Sequence, residues 1–330
     1  MQRKSVCVYS RKLLSFCRHQ YPNVIMKSLK RQKVESAVEQ NLKKSSESDL
    51  ANKIQKTGPG EKNEDEVSVT LDEHLFVKDI VPSSPNSIPD AILALEKNLS
   101  TKLSEIKFKA PIDYIYNPIE YAHDVHSNYV HTYCQGTKKI LFLGMNPGPW
   151  GMSQNGVPFG EVSMAKEWLK MSGKIQKPPR EHPERKITGF DCTRKEVSGL
   201  RFWGFFRDLC EKPENFFRHS YVHNYCPLAF MTSNARNITP ADIKTEEQKK
   251  LLKICDDVLE EIFKLLKVEI VIGIGRFVEE RAKIVMRNGK INIKVIYMAH
   301  PSPRALHNEN WPEKAKATLE DQQLLEFFAK

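Results

Sequence analysis

The sequence predicts an α/β fold of three layers, α/β/α, built on a short central parallel four-stranded sheet. Two observations predict it. Four short β-branched or apolar runs, at 139–143, 221–223, 269–272 and 294–298, alternate with segments of helical period. Strands that alternate with helices argue a parallel sheet covered on both faces. Each run also breaks into a loop of unusual chemistry: GMNPGPWG (144–151), NYCPL (224–228), GIGRF (273–277) and AHPSPR (299–304). Ligands of open α/β sheets bind outside the carboxyl ends of the strands. Four such ends would converge on one crevice, which locates the site.

The elements follow in chain order. Residues 1–34 hold nine Lys/Arg and no acidic residue, with Leu, Phe and Tyr interspersed. They read either as a mitochondrial presequence or as a basic nuclear or DNA-contacting arm. Residues 35–88 are polar, lack sustained periodicity and carry Pro/Gly breakers, so 1–88 is expected to be a disordered extension. The folded domain is expected over 89–330. Residues 91–106 place Ile92, Leu95, Leu99 and Leu103 at helical spacing. Helices are also expected at 161–171, 200–210 and 247–266. In the last of these, Leu251, Leu252, Cys255, Val258, Leu259, Ile262 and Leu266 form one apolar stripe.

Composition narrows the function. The chain has 330 residues and a net charge of +10, which favours a polyanionic partner, nucleic acid first. The excess is not confined to the tail, because residues 89–330 carry 36 Lys/Arg against 30 Asp/Glu. No run approaches the ~18–20 apolar residues of a membrane span, so no membrane association is expected. The seven cysteines are widely and irregularly spaced with no CxxC, which argues against a zinc ribbon or an iron–sulfur site. No metal and no cofactor are expected, and the cysteine usage suits a reducing compartment.

The loops carry the chemistry. In GMNPGPWGMSQNGVPFG, Gly and Pro make a stiff loop that brings backbone N–H groups close to a ligand. It lacks the Gly-Lys-Ser/Thr ending of a Walker loop, and GIGRFV does not complete GxGxxG. The latter reads as a close strand–helix turn. Thr239 at N-cap, Pro240 at N1 and Asp242 at N3 read as a helix start. With Arg236 beside it, that start would make a phosphate site. The basic loop 174–186 reads as solvated, and His123, His126 and His131 as surface or core residues without a metal-ligand pattern.

The string Gly144-Met145-Asn146-Pro147-Gly148-Pro149, the nearby Phe159 and the later His300-Pro301-Ser302-Pro303-Arg304 resemble the two motifs of the uracil-DNA glycosylase superfamily. The form is that of its single-strand-selective monofunctional (SMUG-type) branch. The likeness runs from about residue 91 to the C-terminus and includes IYNPIEYA, SGLRFWGFFRDLC and CPL. It implies a uracil-DNA glycosylase-like fold and hydrolysis of the N-glycosidic bond between uracil and deoxyribose. Neutral Asn146 would orient the attacking water, and neutral His300 would donate a hydrogen bond to uracil O2 as charge develops. Asn224 has a donor and an acceptor that match uracil N3–H and O4 and reject cytosine.

The resemblance further implies that Phe159 stacks on the extruded base and that Met145 lines the pocket through its backbone. Gly148 would leave room for C5 substituents such as that of 5-hydroxymethyluracil. Arg304 and Leu306 would form a wedge that fills the gap in the stack, although this stretch departs from the Asn-Pro-rich form of the family. Asn234, Arg236, Asn237 and Thr239 are further DNA-contact candidates. The expected partner is single- and double-stranded DNA containing uracil or 5-substituted uracil, the expected product an abasic site, and the expected unit a monomer in the nucleus. No Lys lies in either motif, so no Schiff-base lyase step is implied. A mismatch-specific thymine/uracil glycosylase and a silent binder of modified uracil are the rival readings.

Overall fold

The computed structural model describes residues 87–304 and 308–328. The basic and polar stretch 1–86 and the wedge candidate Leu306 lie outside the described residues.

Helix α1 (Ile88–Ser104) starts where local chemistry asks for it. Ser87 accepts from Asp90 N–H as N-cap, and Pro89 sits in the first turn. Its buried positions Ile92, Glu96, Leu99 and Leu103 recur at helical spacing, and one of them is charged. Next come β1 (Tyr114–Tyr116), α2 (Pro118–Tyr121) and α3 (His123–Tyr133). Strand β2 (Ile140–Gly144) leads into the first motif loop, which contains the one-turn α4 (Met152–Asn155). Helices α5 (Val197–Cys210) and α6 (Pro213–Phe217) then precede β3 (Ser220–Asn224), β4 (Ala229–Met231) and β5 (Asn237–Ile238). The chain closes with α7 (Glu246–Leu266), β6 (Ile270–Ile274), α8 (Arg276–Asn288), β7 (Lys294–Met298) and α9 (Trp311–Asp321).

The central sheet has four strands in the order β3-β2-β6-β7, all parallel, as the alternation predicted. Every residue of β2, β3 and β6 is buried. Adjacent residues of a strand point to opposite faces, and the ring contacts follow that rule. Phe142 packs against Phe202 and Phe206 of α5 and Phe216 of α6. Tyr221, paired with Leu141 and so on the other face, stacks on Tyr129 of α3. Helices therefore cover both faces, giving three layers.

Register positions the site. Gly144 pairs with Asn224 and Ile274 with Met298, so the loops after β2, β3, β6 and β7 leave the sheet at one end. At a strand spacing of ~4.8 Å, the ends of β2 and β7 stand roughly 10 Å apart across β6.

Three features differ from the sequence expectation. A small antiparallel sheet, β1-β4-β5, was not foreseen; strands of two or three residues leave no periodicity to read. The segment 161–171 is a single wide π turn, Met164–Trp168, rather than an α-helix. Glu161 captures Met164 N–H, and the Trp168 indole is drawn to the Glu211 carbonyl. Lastly, Thr239–Asp242 is a closed turn and not a helix start. Asp242 Oδ2 accepts from both the N–H and the hydroxyl of Thr239, buried Ile243 follows, and α7 begins only after Thr245. The segment therefore offers no helix N-terminus to a phosphate.

Candidate active site

The first motif loop is held from several sides. Tyr225 N–H donates to Gly144 O at 2.9 Å and Cys226 N–H to Met145 O at 3.0 Å, so the loops after β2 and β3 run on together beyond the sheet. Asn146 Nδ2 donates to Leu228 O at 3.1 Å. Only the amide nitrogen can donate to a carbonyl, so this bond fixes which way the carboxamide faces and turns Oδ1 into the available acceptor.

Farther along, Asn155 makes the turn that presents Phe159. Its Nδ2 donates to Gly160 O at 2.7 Å and its Oδ1 accepts from Val157 N–H at 3.0 Å. Phe159 has φ +52, in the left-handed region that a side chain seldom occupies. Non-glycine residues persist there only where their surroundings over-determine them, and such positions cluster at functional sites. The surroundings here are Phe202, stacked at 4.8 Å between ring centroids, and Trp203, whose indole N–H holds Pro158 O at 3.1 Å.

Gly144 is the floor on which these groups meet. A Cβ there would lie 2.2 Å from Asn224 Oδ1 and 3.0 Å from Phe159 Cε2. The base-reading candidate and the stacking candidate thus converge over one glycine. Asn224 is buried, and its Nδ2 rests against Met152 Sδ at 3.0 Å. The ring of His300 faces Phe159 at 6.0 Å, and its Cβ lies where a side chain on Gly275 would reach, at 3.7 Å. Gly275 has φ +100 and turns β6 straight into α8, as the strand–helix reading of GIGRF required.

The protonation state of His300 follows from its bonds. Ser302 N–H donates to His300 Nδ1 at 3.1 Å, so Nδ1 must carry a lone pair. The neutral ring then bears its hydrogen on Nε2. Burial pushes the His300 pKa down to about 4, which keeps the ring uncharged at neutral pH. The loop that carries it is pinned by residues outside the two motifs. Asn308 Nδ2 donates to His300 O and Ser302 O, Arg201 Nη1 to Pro301 O and Asn308 O, and Trp311 Nε1 to Ala299 O. Trp311 is fully buried at the start of α9, which anchors that helix in the core.

A second buried group went unread. Glu96 of α1 binds His126 Nε2 at 2.7 Å and approaches His223 Nδ1 at 3.5 Å, and all three are buried. His126 Nδ1 donates to Gly156 O at 2.8 Å, which ties the cluster to the first motif loop, and His223 immediately precedes Asn224. His126 is thus a core residue, as expected, but with a carboxylate partner. Only its wide separation from Glu96 in sequence hid the pair. Among the described residues no group of His, Cys, Asp and Glu is arranged to hold a metal ion.

Gly148 does not open onto free space: a Cβ there would lie 2.7 Å from Glu196 Oε2. Arg236 and Asn234 are exposed, and Asn234 Oδ1 receives the Thr232 hydroxyl. Asn237, in β5, keeps a buried Oδ1 without a partner among the described residues. Thr239 sits in its closed turn. This segment is joined to the basic loop, which is less solvated than expected: His182 and Arg185 bind Ser233 O and Ala235 O, and Arg185 stacks on Trp150 at 4.8 Å. Arg304 is exposed directly after the His300 loop.

The chain is similar to known proteins in both sequence and fold. Residues 131–323 match the family described as the uracil DNA glycosylase superfamily. The single-strand selective monofunctional uracil-DNA glycosylase of Rattus norvegicus is 47% identical over 72% of this chain and 86% of its own. The Bos taurus protein of that description is 46% identical over 73% and 89%. The crystal structure of wild-type Pedobacter heparinus SMUG2 superposes with a TM-score of 0.50 at 18% identity, covering 72% of this chain and 99% of that one, a likeness of fold.

Proposed function

Because the chain belongs to the uracil DNA glycosylase superfamily, we propose that it is a monofunctional uracil-DNA glycosylase. Its reaction is hydrolytic release of uracil and 5-substituted uracils from single- and double-stranded DNA, leaving an abasic site. The single observation that carries the reading is the tautomer of His300. A neutral imidazole whose Nδ1 is occupied by Ser302 N–H has one donor left, Nε2–H, in the crevice that also holds Asn224, Phe159 and the Asn146 loop.

The target nucleotide is swung out of the stack, at a few kcal/mol for duplex and less for single strands or mispairs. The base then enters between Phe159, which stacks on it, and Asn224, which reads N3–H and O4. Met145 O accepts from Cys226 N–H, which fixes the peptide of the loop, and the backbone contact to the base is assigned to Met145 N–H. As the glycosidic bond lengthens, negative charge gathers on the pyrimidine and His300 Nε2–H stabilises it at O2. A neutral donor suits this task, since a cation there would also stabilise the ground state of other anionic ligands. Asn146 cannot take a proton to any useful extent. With Nδ2 bound to Leu228 O, its Oδ1 orients the water that attacks C1′ after the sugar has become oxocarbenium-like, and the proton that water sheds neutralises the departed uracil anion.

Arg304 and Leu306 act as the wedge, and Asn234, Arg236, Asn237 and Thr239 as backbone contacts on the neighbouring segment. The working unit is a monomer, resident in the nucleus where its DNA substrate lies, and residues 1–88 form an extension to the 89–330 glycosylase domain. Among the described residues no helix is long and apolar enough to cross a membrane.

The test is an excision assay on oligonucleotides carrying uracil, 5-hydroxymethyluracil or thymine, single-stranded and paired. Release of the first two from single strands is expected. Activity confined to a G·T duplex, or base release that survives an Asn146→Ala/His300→Ala double variant, overturns the assignment.

A further inference from the structure

One half-buried carboxylate has no part in the chemistry above. Glu196 stands at the N-cap of α5, with its carbonyl accepting Leu200 N–H at 2.9 Å, while its side chain leaves the helix and enters the loop after β2. Trp150 N–H donates to Oε2 at 3.3 Å. A Cβ on Gly151 would lie 2.9 Å from Glu196 Cγ, and one on Gly148 2.7 Å from Oε2 and 3.0 Å from Cδ. Gly148 is two residues past Asn146, so the volume its missing side chain frees is filled by an acid.

The same helical turn reaches the other parts of the crevice. A Cβ on Gly199 would sit 2.1 Å from Phe159 O, which means that α5 packs directly beneath the stacking residue. Arg201 then holds the His300 loop through Pro301 O at 3.2 Å. Glu196 is thus fixed to the rigid start of a helix that touches the Asn146 loop, Phe159 and the His300 loop together.

We propose that Glu196 is a specificity-determining residue, its carboxylate meeting the substituent on C5 of the extruded pyrimidine and accepting a hydrogen bond from a hydroxyl-bearing one. The inference rests on the pyrimidine-excising function proposed above. A carboxylate accepts and does not donate. A hydroxymethyl group satisfies it, whereas a methyl group would bury it unpaired. Burial raises the Glu196 carboxyl above the ordinary glutamate range, against Arg304 and with Glu161. Those two side chains and the Trp150 N–H are the groups that face it, with Arg185 and Arg194 stacked on the Trp150 indole beyond. The deprotonated form is the stronger acceptor and the one that cannot donate. The preference for a hydroxymethyl substituent should therefore grow as pH rises through that elevated range.

The experiment is single-turnover excision of uracil, 5-hydroxymethyluracil and thymine from one single-stranded oligonucleotide by the wild-type chain, Glu196→Gln and Glu196→Ala. Melting curves verify that each variant folds. Glu196→Gln is expected to lower the 5-hydroxymethyluracil-to-uracil rate ratio about tenfold and to remove its dependence on pH. Glu196→Ala is expected to raise the thymine-to-uracil ratio. Parallel loss on both uracil substrates, with the ratio and its pH dependence unchanged in Glu196→Gln, overturns the inference and reduces Glu196 to a support of the loop. A wild-type chain that releases neither base overturns the excision function itself, which is a separate result.

Discussion

Replacing His300 by Ala removes the donor expected to meet the departing base, and the structure gives its size. The ring is partly buried, carries its hydrogen on Nε2 and has a pKa of about 4 against an ordinary 6.5. That depression corresponds to roughly 2–3 kcal/mol against protonation, after allowance for the ring's partial exposure. At pH 7 only about one molecule in a thousand would hold an imidazolium. The donor therefore acts as a neutral group aimed at developing charge, and removing such a donor costs ~10²–10³ in rate, or roughly 2.7–4 kcal/mol. The assay is single-turnover release of uracil from a single-stranded oligonucleotide between pH 5 and 8. The wild-type rate should stay flat across that range, and His300→Ala should lie two to three orders of magnitude below it throughout (about 10²–10³). A rate that climbs on acidification with a midpoint near 6.5 would mean that the cation does the work, and would refute this reasoning.

Three further outcomes follow from the geometry. Gly144→Ala would drive a Cβ to within 2.2 Å of Asn224 Oδ1; misplacing a base-reading group by about an ångström should cost ~10² in excision rate, measurable beside an unchanged melting profile. Asn146→Ala should lose base release by ~10² or more while retaining its affinity for the same oligonucleotide in a gel shift. Glu96→Ala should destabilise the fold by about 3–5 kcal/mol in urea unfolding, because it leaves His126 buried and unpaired. The wild-type pair also sets a pH window. Burial opposes the Glu96 charge, but His126 and His223 hold that carboxyl below its ordinary range, so its contribution is present above about pH 4.5 and lost on acidification. Burial likewise opposes the His126 charge, but Glu96 lifts that pKa, so its contribution is present below about pH 6.5 and lost as pH rises through the raised value. The Glu96→Ala deficit should be largest between those limits.

The sheet was readable because β2 and β6 are buried throughout and so appear as unbroken apolar runs, with only Tyr221 and Val222 to mark β3, and α7 because one face repeats at helical spacing. The loops at the strand ends were equally visible and located the crevice, while Asn146, Asn224 and His300 were named through the family resemblance of the motifs that hold them. What sequence reasoning missed depends on long-range partners. Glu96 meets His126 thirty residues away, Arg201 meets Asn308 more than a hundred residues away, and Glu196 fills the space beside Gly148. Gly148 read as open space because a missing side chain says nothing about what moves in. Thr239, Pro240 and Asp242 have a helix start's composition, yet Asp242 closes on Thr239 and ends the turn.

The most direct test of the account is nitrogen NMR of the His300 ring in the folded protein, titrated from pH 8 to 5. A neutral ring protonated on Nε2 is expected, with a bare Nδ1 and no uptake of a second proton across that range. A hydrogen on Nδ1, or a ring that becomes cationic near pH 6.5, would contradict it.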